Sequence, residues 1–182
     1  MEVIIVPIVL LAVIAAVSIF LVRSEKKQRH RQKHQLLAQL RQLGHEKQLR
    51  FSSEAYLKNA AIGLDGINRT LLYYEPAAND SPEKVVEIFL DEVQHCSTKH
   101  VSRSIYAHDT QMNKAETFLE SICLRITFNN GKPPEELVFF KSTRDGLFEM
   151  KELGKTCSRW ESSLNKLIPK KSASIKPMLA VK

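Results

Sequence analysis

The side chains that could do chemistry fall into two groups. His30 and His34 stand four apart, the spacing that places two imidazoles on one face of a helix. The zinc-protease helix motif has the same spacing, but its second position is a glutamate and here it is Arg31. Arg29, Arg31 and Lys33 surround the pair and would repel a cation. The second group is His95, Cys96, His100 and His108. Its spacing fits no standard zinc pattern, and on a strand His95 and Cys96 point to opposite faces. A cysteine–histidine nucleophile needs only a meeting in space, but no local motif supports one here. Phosphate-binding loops, nucleophile elbows and dinucleotide glycine fingerprints do not occur. The expectation is therefore a protein with no catalytic residues, no metal site and no cofactor.

The three cysteines, Cys96, Cys123 and Cys157, are odd in number, lack a C-x-x-C pair and lie in apolar patterns. They read as small core residues of a protein in a reducing compartment.

Charge is unevenly placed. Residues 23–50 hold nine basic and two acidic side chains, whereas 51–169 hold fourteen basic against seventeen acidic. The net charge of +7 thus comes from a stalk and a lysine-bearing tail. A slightly acidic body argues against nucleic acid as a partner.

Val3 to Val22 is twenty residues without a charge. As a helix it would reach roughly 30 Å, the thickness of a bilayer's hydrocarbon core. The expectation is a transmembrane anchor over 1–22 with the bilayer as partner of 3–22. Arg23, Lys26, Lys27 and Arg29 follow it, and basic flanks stay on the cytoplasmic side. They are expected to meet anionic lipid headgroups near 23–29. The localisation expected is the inner (cytoplasmic) membrane, single-pass, with the N-terminus outside and the C-terminal domain in the cytoplasm.

Residues 23–50 form a basic stalk of good helix formers. Leu36, Leu40 and Leu43 recur at i, i+4, i+7 and could join two copies as a short coiled coil. The other reading is a helix that leans on the membrane or on the body.

The body spans 51–169. "AAIGLDGINRTLLYYE" reads as strand, turn, strand, with Asp65, Gly66 and Asn68 supplying turn chemistry. "VVEIF" is a short strand, and 92–108 holds one longer or two shorter strands. Leu119 to Asn129 alternates clearly, with Ile122, Leu124, Ile126 and Phe128 on the core face. Asn130-Gly131 turns the chain into "LVFFK". The body ends in a helix whose apolar stripe is Leu147, Met150, Leu153, Cys157, Trp160, Leu164 and Ile168, with Asp145 as cap and Pro169 as stop. One amphipathic helix after six or seven strands must dock on a sheet face or barrel mouth. Residues 170–182 read as a disordered basic tail.

This order, with Trp160 in the buried stripe, resembles the pleckstrin-homology-like superfold. "IGLDGINRTLLYYE", "LESICLRITFNNGKPPEELVFF" and "CSRWESSLNKLI" resemble bacterial single-pass membrane proteins that carry such a domain. The resemblance implies an α+β fold: a transmembrane helix and helical stalk, then an antiparallel sandwich or barrel of two near-orthogonal sheets capped by a C-terminal helix. It also implies a binding or scaffolding role. Pleckstrin-homology domains that bind phosphoinositides use a basic cluster at the first hairpin turn. Here that turn carries one acid and one cation, and Asp65, Asn68 and Arg69 form the candidate ligand loop.

Two functions are expected from these readings. The first is a membrane-anchored cytosolic interaction module, non-enzymatic, recruiting a protein or peptide partner. The second is a structural component of the cell envelope that self-assembles through the stalk as a homodimer.

Overall fold

In the computed structural model the backbone is described for residues 2–77, 82–105 and 116–169. Side chains are described for these residues except 2–19, 21, 22, 25, 26, 104, 105, 116, 117 and 147. The expected tail over 170–182 and His108 lie outside the described residues.

Helix α1 (Glu2–Glu46) is followed by seven strands, with one short 3-10 turn, and by a second helix. Strands β1 (Ser53–Tyr56), β2 (Ala61–Asp65), β3 (Thr70–Glu75) and β4 (Lys84–Phe89) form a four-stranded antiparallel sheet in that order. Strands β5 (Val93–Ile105), β6 (Glu116–Phe128) and β7 (Glu135–Lys141) form a three-stranded antiparallel sheet. Helix α2 (Leu147–Leu167) closes the chain. The architecture is α+β, two sheets and two helices.

The main core lies between the sheets and α2. Ile62 and Leu64, Leu71 and Tyr73, and Ile88 face it from the first sheet; Ile122, Leu124 and Ile126 face it from β6, with Phe128 packed at its margin. Leu153, Cys157, Trp160 and Leu164 fill it from α2, where apolar residues every three or four positions make one continuous stripe. The N-cap of α2 is Gly146, not Asp145. Asp145 is buried, and its carboxylate accepts the Lys141 N–H at 2.8 Å, so it braces the preceding turn.

A second apolar layer covers the opposite face of the four-stranded sheet. Leu36 and Leu40 of α1 are buried against Ala61, Leu72 and Tyr74, with Leu37, Leu43, Leu49, Phe51 and Tyr56 around them. The stripe expected to join two copies, Leu36, Leu40 and Leu43, is the one that packs here. The leucine stripe meets a sheet face of its own chain, so Leu36 and Leu40 have no surface left for a second copy. It also explains why every residue of β2 is buried, since that strand is covered from both sides. The Phe51 ring sits between Gly44 of α1 and Gly63 of β2. A Cβ at either glycine would come within 2.6 Å and 2.8 Å of ring carbons.

The expectation of a membrane span over 3–22 is corrected as well. Among the described residues, no helix is long and apolar enough to cross a membrane. The single-pass, inner-membrane placement goes with it. From Arg23 onward the described side chains of α1 are exposed, the charged Arg23, Lys27 and Arg29 among them, or dock on the sheet, and those of 2–19, 21 and 22 lie outside the described residues.

Candidate functional site

The turn expected to hold a ligand is occupied by its own structure. Asp65 is fully buried. One carboxylate oxygen accepts the N–H groups of Ile67 and Asn68, both at 2.9 Å. The other accepts the Arg50 N–H at 2.7 Å and the Asn68 side-chain amide at 2.9 Å. Burial pushes the Asp65 carboxyl up, but these donors together hold it below the ordinary carboxylate range. Arg69 takes a left-handed backbone (φ 51°), donates to the Leu167 carbonyl at the end of α2 and pairs with Asp91 at 3.3 Å. Asp65, Asn68 and Arg69 thus organise a turn and cap a helix end, where unsatisfied carbonyls favour a cation.

The nucleophile candidates are equally enclosed. Cys96, Cys123 and Cys157 are free and buried. Burial, aided by the Glu161 charge, pushes the Cys96 thiol up to about 12. Burial likewise pushes Cys157 to about 11 and raises Cys123. His95 and His100 are exposed while Cys96 is buried, so no cysteine–histidine pair forms among them. His30 and His34 meet edge to face with their Nε2 atoms 3.0 Å apart. Among the described residues, no three histidine, cysteine, aspartate or glutamate side chains converge as metal ligands.

A cleft of about 320 Å³ opens where α1, the β1–β2 turn and α2 meet. Three of its charged side chains pair with one another. Glu149 takes Lys58 Nζ at 2.6 Å and Arg29 Nη1 at 2.9 Å, and accepts the Gly146 N–H at 3.2 Å. Burial raises the Glu149 carboxyl, but Lys58, the Gly146 N–H and Arg29 hold it below its ordinary value. Arg29, expected at a lipid surface, here ties α1 to α2. Arg23 and Lys27 are exposed, and the side chain of Lys26 lies outside the described residues.

The sheet edges are treated unequally. At Cys96 and Thr98, α2 takes up the outward backbone groups of β5. The Asn165 side chain accepts the Cys96 N–H at 3.0 Å and donates to the Cys96 carbonyl at 2.8 Å. Glu161 accepts the Thr98 N–H at 2.9 Å and the Thr98 hydroxyl at 2.6 Å. Both helix residues lie off the apolar stripe.

Strand β4 is the other outer strand beside that corner. The Leu90 N–H donates to the Arg69 carbonyl at 2.8 Å, continuing the β3–β4 register in which Thr70 faces Phe89. Antiparallel ladders alternate, so Lys84, Val86 and Ile88 bond to β3 while the N–H and C=O groups of Val85, Glu87 and Phe89 turn outward. Among the described residues, no side chain hydrogen-bonds to those outward groups. The side chains of Val85 and Phe89 are 42% and 50% exposed on one face of the sheet. Glu87 stands between them and is paired with Lys47 of α1. Sequence reading identified this strand but not its edge position, because strand order is not written in a local pattern.

The class these features define is an α+β domain of two antiparallel sheets with an open outer strand and a long helix docked on one face. Compared with protein-family models, curated proteins and solved structures, the chain matches none.

Proposed function

We propose that the protein is a non-catalytic interaction module that takes up an extended segment of another chain along β4. One observation carries this reading: the contrast between β5, whose outward backbone at Cys96 and Thr98 is taken up by Asn165 and Glu161, and β4, which has outward backbone groups and two exposed apolar side chains. Exposed edges are a liability that proteins ordinarily blunt. Strand addition uses such an edge, with main-chain bonds supplying affinity and alternate side chains supplying selectivity. The binding role implied by the resemblance to pleckstrin-homology-like domains points the same way, as does the burial of all three thiols.

The test is a selection of extended peptides against the 182-residue chain, followed by amide hydrogen exchange on the chain with the recovered peptide. Protection is expected at the amides of Val85, Glu87 and Phe89. Protection confined to the Arg29–Glu149 cleft, or none on β4, would overturn the reading.

A further inference from the structure

Resting on that reading, we infer that the segment added to β4 is β4 of a second copy, making a twofold dimer with one continuous eight-stranded sheet. The inference follows from the self-complementary pattern of the strand. Outward backbone groups belong to Val85, Glu87 and Phe89, so an antiparallel copy bonds through these same odd-numbered positions. Directly opposed residues in such a pair also share a sheet face. Centring the axis on Glu87 sets Val85 opposite Phe89 of the second copy, and Phe89 opposite its Val85. Three opposed pairs then exchange two main-chain bonds each, and both exposed apolar side chains on each copy gain an apolar neighbour. Sliding the register by two residues in either direction sets an apolar side chain opposite an acidic one and loses a pair.

The axis brings two Glu87 side chains together, and like charges directly opposite are unfavourable. Here each Glu87 already carries the ammonium of Lys47 from its own chain. The centre is therefore two acids that each bring their own cation, with no net charge, rather than two bare acids. Lys84, the cation of the strand itself, is held by Glu135. Leu36 and Leu40 are buried inside each copy, so these two leucines offer no competing seam.

The experiment is sedimentation velocity of the 182-residue chain and of Val85→Lys/Phe89→Lys, with Trp160 emission as the check on folding. The wild type is expected to dimerise, and the double variant to weaken dimerisation by roughly 30-fold or more while staying folded, as loss of a central aromatic contact does. An independent arm uses Glu87→Cys. Bonded opposed residues lie about 5.5 Å apart at Cα, within disulfide reach. Mild oxidation should yield a covalent dimer from Glu87→Cys and none from the α2 surface control Ser162→Cys. A dimer that survives both lysines and does not cross-link at position 87 overturns the inference. A monomeric wild type at high micromolar concentration also overturns it. If an added peptide then protects the β4 amides of that monomer, the strand-addition reading survives without the second copy; if none does, both fall.

Discussion

Replacing Asp65 separates a structural turn from a ligand loop. The carboxylate accepts four hydrogen bonds, three from main-chain N–H groups. A hydrogen bond to a charged acceptor contributes about 1.5–3 kcal/mol. Ile67 and Asn68 are exposed, so water can take over part of what their amides lose. Counting the 2.7 Å bond from Arg50 in full and the three turn bonds at half, at the low end of that range, gives about 4 kcal/mol for Asp65→Ala. For a chain of this size that lowers the melting temperature by roughly 8–16 °C. The sign with pH follows from the carboxyl being held below its ordinary range when folded. Its contribution is complete above the unfolded value near 4 and is lost as pH falls through the folded value. The gap between wild type and Asp65→Ala should therefore be constant from about pH 8 to 5 and narrow in stronger acid. The assay is urea denaturation at several pH values, read by the single tryptophan, Trp160, which is buried. A variant within about 0.5 kcal/mol of wild type at pH 7 would refute the reasoning, because surface positions without a structural role change stability by no more than that.

Three further perturbations test the packing. Leu40→Ala should cost about 2–5 kcal/mol locally and accelerate amide exchange across residues 36–46, where α1 lies on the sheet; unchanged exchange would mean that α1 is not held there. Gly44→Ala should destabilise by about 1 kcal/mol, although glycine to alanine in a helix ordinarily stabilises by about that much, because the added methyl meets the Phe51 ring. In the Phe51→Ala background the sign should reverse, as a thermal melt of the four variants would show. Cys96 and Cys157, with thiols pushed up to about 12 and 11, should resist a thiol reagent at pH 8 until denaturant is added, and rapid labelling of the native chain would contradict their burial.

Several elements were legible in the sequence because their signals are local. The Ile122–Phe128 alternation lies within β6, and the Leu153–Leu164 stripe lies on α2. "AIGLD" and "TLLYYE" are β2 and β3, joined by the turn that Asp65 builds. The short strand β1 carried too little pattern to be read. For Asp65 the sequence indicated turn chemistry, yet only the fold showed the Arg50 N–H arriving from fifteen residues away to complete its coordination.

What the sequence determined by itself was which faces are apolar. The leucines of α1, the two-sided apolar run of β2 and β3, and the stripe of α2 each require a partner, because apolar area left in water is unfavourable by about 25 cal/mol per Å². It did not determine which face meets which. Leu36 and Leu40 are as suited to a second helix as to Ala61, Leu72 and Tyr74, since burial is non-directional; the sheet won because the chain delivers it at high effective concentration. Polar residues were less legible still. Asn165 and Glu161 lie off the apolar stripe, and only with α2 laid beside β5 do directional hydrogen bonds to Cys96 and Thr98 take up the outward backbone there. Hydrogen bonds depend on distances of about 3 Å, and only the tertiary structure sets such distances between residues more than sixty positions apart. The same packing leaves Val85 and Phe89 uncovered on β4.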